Sequence, residues 1–276
     1  MKRIDAHQHF WKADPVRANW INEEMKSVQR DFFPKDLWPL LYENGFDGCV
    51  AVQSGQSEKE TDFLISLAKQ HKFIRGVVGW VDLQADNIAE RLEWYKSFTV
   101  LKGFRHILQS DWQRDLMLQP TFKRGIAALH RYGFTYDLLI FPDQLKFSAQ
   151  LAASFPDQKF VIDHIARPNI RHRDIAGWKA NINKLALHRN VYCKISGMIA
   201  ESDRNGHSKA DFRPYIDEIV NAFGMDRVMF GSDWPACQAG ASYEEMTRIV
   251  LDYFSTFSRE EQELFFVWNA INFYGL

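Results

Sequence analysis

The chain is poor in cysteine, has no excess of either charge and contains no long apolar run, and each shortage removes a class of function. Its three cysteines (Cys49, Cys193 and Cys237) stand far apart with no CxxC pair among them. That spacing excludes a structural zinc knuckle and a disulfide framework, and places three buried thiols in a reducing, cytoplasmic compartment. A formal net charge of -1 offers nothing to a nucleic-acid backbone or to an anionic membrane surface. No charged-then-apolar leader precedes the first strand-like run, and no stretch is long enough to span a bilayer. A glycine-rich phosphate turn is missing after every early strand, so no organic cofactor is expected. A GxSxG elbow is also absent, which removes a serine nucleophile.

What remains has the make-up of a soluble globular protein, with 46% hydrophobic and 25% charged residues. A length of 276 residues fits one large α/β barrel or two ordinary domains. No linker or break in composition divides residues 1–276, so one domain is expected. The aromatic content of 14%, with nine tryptophans, exceeds what a core needs and suits the walls of a ligand pocket.

Apolar strand-like runs alternate with helical stretches along the whole chain. The strands are expected at 3–6, 48–53, 74–81, 101–105, 135–140, 159–162, 191–195 and 228–230. Most are continuously apolar, as strands covered on both faces must be. Ser57 with Glu60, Ser242 with Glu245 and Ser258 with Glu261 have the spacing of capping boxes. Helical periodicity is clear in Phe63, Leu64, Leu67 and Ala68, and again in Ile216, Ile219, Val220 and Phe223. A last helix, about 259–273, is expected to pack outside the ring. Eight strands alternating with helices predict a (β/α)8 TIM-type barrel, with an open doubly wound sheet as the alternative. Two connections, 10–33 and 198–211, exceed ordinary barrel loops. Both follow strands, so both are expected over the catalytic face as lids.

Nearly every predicted strand delivers a polar residue near its carboxyl tip. These are His7 and His9, Gln53, Asp82 after Trp80, Arg105 and His106, Asp137, His164, Lys194 with Ser196, and Asp233. Histidines at i and i+2 on one strand share a face and can converge on one ion or one substrate oxygen. If the first and last strands are neighbours, Asp233 joins them. A carboxylate on that apolar strand needs strong partners, because burying it alone is very costly. Arg105 and His106 are adjacent, so one of the two faces the pocket. Arg105 suits a carboxylate or carbonyl oxygen, and an ion pair with a barrel carboxylate is its alternative. Asp137 reads equally as a pocket residue or a helix cap. Asp163, next to His164, is expected to point away from the pocket. His71, His130, His172 and His188 carry no such context and read as ordinary core or surface residues.

The set His7-x-His9, His164 and Asp233 resembles the amidohydrolase superfamily. More narrowly, Asp5-Ala6-His7-Gln8-His9-Phe10-Trp11, Asp163-His164-Ile165-Ala166-Arg167-Pro168, Lys194-Ile195-Ser196-Gly197 and Gly231-Ser232-Asp233-Trp234-Pro235 resemble its amidohydrolase-2 branch. That branch includes sugar-acid lactonases for L-fuconate and L-rhamnonate lactones, and 2-pyrone-4,6-dicarboxylate lactonase. The chain departs from the binuclear pattern. Tyr136-Asp137 stands where the fifth strand would carry a histidine, and Lys102 comes too early to bridge two ions. The resemblance therefore implies at most one divalent ion such as zinc, on His7, His9, His164 and Asp233, and some members of the branch need none.

The implied chemistry is hydrolysis of a lactone. Asp233 would take a proton from the attacking water and return it to the leaving alkoxide. His7 and His9 would stabilise the oxyanion, directly or through an ion, with His164 assisting. Arg105, Lys194, Gln53 and His106 are expected to hold the substrate, and Trp11 and Trp80 to wall its ring. Two other classes stay open: a metal-dependent decarboxylase of an aromatic or unsaturated acid, and a ligand-binding barrel without activity.

Overall fold

A computed structural model describes residues 3–13, 27–202 and 209–276. Eight strands form one parallel sheet in sequence order: β1 (Arg3–Gln8), β2 (Phe46–Val52), β3 (Ile74–Gly79), β4 (Leu101–Ile107), β5 (Thr135–Leu139), β6 (Phe160–Ile162), β7 (Val191–Ile195) and β8 (Val228–Phe230). The ring closes beyond the ends of β1 and β8. Asp233 N donates to His7 O at 2.9 Å, and His9 N donates to Trp234 O at 2.7 Å. This is the (β/α)8 barrel predicted from the alternation of strands and helices, with strand limits within a few residues of those expected.

The helices between strands are α1 (Pro34–Glu43), α2 (Glu58–Gln70), α3 (Ile88–Tyr95), α4 (Pro120–Tyr132), α5 (Leu145–Ser154), α6 (Ala176–Ala186) and α7 (Lys209–Phe223), followed by α8 (Tyr243–Phe254), α9 (Arg259–Glu263) and α10 (Asn269–Tyr274). The boxes at Ser242–Glu245 and Ser258–Glu261 form as expected. At Ser57 only the hydroxyl half forms, at 3.3 Å to Glu60 N. The Glu60 carboxylate instead accepts from Ser54 N at 2.6 Å and Gly55 N at 2.8 Å, tying down the turn after β2. Among the described residues, no helix is long and apolar enough to cross a membrane.

The last helical stretch corrects the sequence reading. It is not one helix on the outside of the ring. A π turn at Leu264–Trp268 separates α9 from α10, and α10 packs against the barrel's own interior. Ala270, Phe273 and Tyr274 join a cluster of Ile4, Ala6, Val50, Val52, Val78, Val161 and Met229. Lys102 Nζ donates to Gly275 O at 2.7 Å, and Lys159 Nζ donates to Asn272 O at 2.9 Å. Both lysines sit at the amino-terminal ends of strands, so α10 is the floor of the barrel. Small aliphatic side chains fill the lower layer, and the layer above them is polar: Arg105, Asp137 and Lys194, all buried.

Candidate active site

His7 and His9 share a face as residues i and i+2, and an irregularity in the pairing of β1 with β2 between Asp5 and Gln8 turns that face inward. Asp5 lies on the outer side, where Oδ2 accepts from Tyr243 Oη of α8 at 3.2 Å. Ala6 lies in the interior cluster, and His7 also faces inward, 3.2 Å from Lys194 Nζ. The shift places both imidazoles over the barrel axis. Asp5 was not singled out from the sequence. Its Oδ1 accepts from Ser232 N at 2.9 Å and from His7 N at 3.2 Å, so it clasps the two ends of the ring. Burial pushes its pKa up to about 6 despite those bonds.

Four side chains converge above the polar layer. His9 Nε2 lies 3.3 Å from Asp233 Oδ1 and 3.3 Å from His7 Nε2. His7 Nε2 and His164 Nε2 stand 3.9 and 3.8 Å from the same carboxylate oxygen. Among the described residues no hydrogen bond engages Asp233 Oδ2, and that side chain keeps 10% of its exposure. Burial alone would raise the Asp233 pKa, but the imidazoles of His164, His9 and His7 outweigh it and hold the carboxyl well below its usual range. Burial pushes His164 down to about 4 and His7 well below the usual histidine value. Asp233 adopts a left-handed φ of +58°, as strained functional residues do.

Each imidazole is anchored through its other nitrogen. His9 Nδ1 lies 2.8 Å from Val52 O, which can only accept. His164 Nδ1 lies 2.9 Å from Ser196 Oγ, and His7 Nδ1 lies 3.1 Å from Asp163 Oδ1. With Nδ1 donating, all three Nε2 atoms face inward as lone pairs. Two glycines make room for this packing. A Cβ on Gly197 would lie 2.5 Å from His164 Nδ1, and one on Gly231 would lie 2.6 Å from His7 Cβ.

Asp163 corrects a second expectation. It does not point away from the pocket but lies at the centre of the buried charges. It meets Arg105 Nη1 at 2.9 Å, Lys194 Nζ at 2.9 Å and His7. The reason is local: Val161 faces the barrel interior, so alternation carries Asp163 inward as well, and the left-handed turn of His164, Ile165, Ala166 and Arg167, with φ between +49° and +59°, brings His164 to the same side. Trp178 Nε1 braces that turn by donating to Ile165 O at 2.7 Å. Burial would raise the Asp163 pKa, but the charge of Lys194 and the His7 contacts, with Arg105, hold it well below the usual range.

The residues expected to hold substrate divide into two groups. Lys194 has no exposed surface; its Nζ meets Asp137 Oδ2 at 2.5 Å, Asp163 Oδ1 at 2.9 Å and His7 Nδ1 at 3.2 Å. Asp137 is therefore an interior residue and not a helix cap. Arg105, rather than His106, enters the interior, and its Nη2 donates to Gln53 O and to Gln53 Oε1, the latter at 3.1 Å. Gln53 is itself fully buried and donates to Arg105 O at 3.1 Å. These three support the histidines from below. Trp11 stands beside His9, with ring centroids 6.2 Å apart. Trp80 Nε1 lies 3.4 Å from His106 Nδ1 on partly exposed surface. Nearby, Arg167 Nε donates to Glu201 Oε1 at 2.7 Å and its Nη1 to Gln109 Oε1 at 2.9 Å, joining three loops. Of the expected lids, Trp20, Asp203, Arg204 and His207 lie outside the described residues.

The cluster fits a single divalent cation. The donor atoms of His7, His164 and Asp233 lie within 4.8 Å of one another, and His9 Nε2 lies among them. Tetrahedral coordination at ~2.0–2.1 Å would set neighbouring donors ~3.3 Å apart. Outer-shell acceptors already fix each ring.

Comparison with known proteins agrees with this geometry. The family model described as "Amidohydrolase" matches residues 4–276. An L-fucono-1,5-lactonase of Burkholderia multivorans is 38% identical over 258 residues, covering 90% of this chain and 87% of that protein. A second, from Burkholderia ambifaria, is 33% identical over 87% of this chain and 83% of its own length. A crystal structure of an amidohydrolase from Burkholderia multivorans with bound zinc superposes with a TM-score of 0.96 at 36% identity, each chain fully covered. The chain belongs to the amidohydrolase family and is a hydrolase of that family's (β/α)8 form.

Proposed function

We propose that this hydrolase opens a sugar-acid lactone, of the L-fucono-1,5-lactone kind, by water attack that Asp233 assists. The observation that carries the reaction is the convergence of three imidazoles on one oxygen of Asp233 while, among the described residues, the other takes part in no hydrogen bond. The two lactonases at 38% and 33% identity support the substrate class. Asp233 is held ionised, so it is ready to accept a proton at neutral pH. Water oxygen bonds to the lactone carbonyl carbon, its proton passes to Asp233, and the ring C–O bond breaks. Asp233 then returns that proton to the alkoxide, and the aldonic acid product ionises in solution. No covalent intermediate with the protein is needed.

His7, His9, His164 and Asp233 would hold a divalent cation, zinc being the best match to imidazole and carboxylate donors. Such an ion supplies Lewis acidity toward the carbonyl oxygen and lowers the pKa of water. Asp163, Lys194, Arg105 and Gln53 orient the histidines from beneath, and do not meet the substrate. Trp11 and Trp80 wall the ring, and His106 sets the angle of Trp80.

The test is proton release, followed with a pH indicator across a panel of aldonolactones at neutral pH. Rapid, stereoselective acid production from a few lactones, L-fucono-1,5-lactone among them, is expected. Silence across the panel, with carbon dioxide released from an aromatic acid instead, would overturn the reading.

A further inference from the structure

The hydroxyl of Tyr274 enters the barrel from its floor, and Asp137 Oδ2 accepts from it at 2.8 Å. The same oxygen accepts from Lys194 Nζ at 2.5 Å. That ammonium lies 3.2 Å from His7 Nδ1 and 5.4 Å from the centroid of the Tyr274 ring. Asp137, Lys194 and Tyr274 are all buried, and among the described residues the other oxygen of Asp137 has no hydrogen-bond partner. Asp137 is therefore oriented by two donors only, one from β7 and one from α10. A chain of four contacts, from Tyr274 to Asp137, Lys194, Asp163 and His7, thus links the last helix to a histidine of the candidate active site on the opposite side of the polar layer.

We propose that Tyr274 is a positioning residue for His7, acting through Asp137, Lys194 and Asp163. A carboxylate held by one donor can rotate about its χ2 torsion, which is broad. Held by two donors it presents Oδ2 to Lys194 in one geometry. Lys194 is a point charge on a flexible stem with three donors. Its direction is set by where Asp137 and Asp163 place their oxygens, and Asp163 Oδ1, which it meets at 2.9 Å, in turn accepts from His7 Nδ1. Outer-shell groups of this kind fix the ring orientation of ligating histidines.

The inference rests on the reading of His7 as part of the catalytic and cation-holding set, so the experiment separates the two. Tyr274→Phe removes the hydroxyl and leaves the ring in the floor. Zinc affinity, measured by competition with a chromophoric chelator, is expected to weaken about tenfold. On the lactone, kcat should fall several-fold with KM unchanged. Lys102→Ala, which loosens α10 through Gly275 without touching the chain of contacts, should lower the melting temperature while changing neither zinc affinity nor kcat. In a double-mutant cycle with Asp137→Asn the two losses should not add, because both act through one carboxylate. Zinc affinity and kcat of Tyr274→Phe within twofold of the parent would overturn the inference. If the parent itself bound no zinc, the cation reading would fall, and kcat against KM in Tyr274→Phe would decide the role of Tyr274 alone.

Discussion

His7 and His9 present their Nε2 atoms to each other across 3.3 Å. His9 has Val52 O on its other nitrogen, and His7 has Asp163 there, so two lone pairs meet in a buried space, with Arg105 Nη1 as a donor 3.3 Å from that of His7. Like poles at that distance repel unless a cation or a proton lies between them. Burial holds His7 against protonation, which favours a metal ion as the occupant.

Dialysis against a strong chelator should therefore lower both activity and melting temperature, and one equivalent of zinc should restore them. With free zinc at 100 times its Kd, linkage adds about 2.7 kcal/mol to folding stability. His7→Asn should carry no ion by elemental analysis and show no zinc-dependent shift in melting. A parent enzyme that works at full rate in chelator, with an unmoved melting curve, would remove the ion from the chemistry.

Asp233→Asn keeps the shape of the side chain and removes its basicity. Its kcat should fall by about 10²–10⁴, the usual contribution of a general base, with the far-ultraviolet spectrum unchanged. The pH profile adds a second constraint. The Asp233 pKa is depressed, so the base form is present across the neutral range and is lost only as pH falls through that low value. His164, at about 4, is neutral over the same range. The profile of kcat/KM should be level from about pH 5.5 to 8, with its acid limb lower. An acid limb centred near pH 6.5 would assign the base elsewhere.

The barrel and the four converging residues were legible because their signals are local. A strand shows as an apolar run, and His7-x-His9 shares a face whatever surrounds it. The polar layer was harder to read. Lys194 and Asp137 meet only because β5 and β7 flank β6 in a closed ring, and nothing near either residue announces an ion pair. Asp163 escapes a reading that sends its neighbour His164 inward by alternation, because the left-handed turn starting at His164 brings both side chains to one side. Tyr274 gave no signal. Its sequence neighbours are those of any amphipathic helix, and only the floor position of α10 brings its hydroxyl to Asp137.

Asp163→Ala tests the weight of that hidden layer. It leaves buried Lys194 with Asp137 alone and buried Arg105 with no carboxylate partner among the described residues. Removing one partner of a buried ionic cluster costs about 3–5 kcal/mol, because the remaining charges stay desolvated. Urea unfolding should show that loss as a lower midpoint at constant slope. A change below about 1 kcal/mol would mean that solvent reaches these groups.

Gly197 separates backbone strain from crowding of the site. It has φ of +64°, and Gly133, which follows α4, has φ of +79°. Alanine at either position costs about 1–2 kcal/mol for a left-handed conformation. The surroundings differ: a Cβ on Gly133 meets nothing within 4 Å, whereas one on Gly197 falls 2.5 Å from His164 Nδ1. Gly133→Ala should therefore lower the melting temperature and leave kcat/KM intact. Gly197→Ala should lower both, because His164 must turn away from Ser196 and from Asp233 to admit the methyl group. Equal kcat/KM in the two variants would show that the position of His164 does not matter to the reaction.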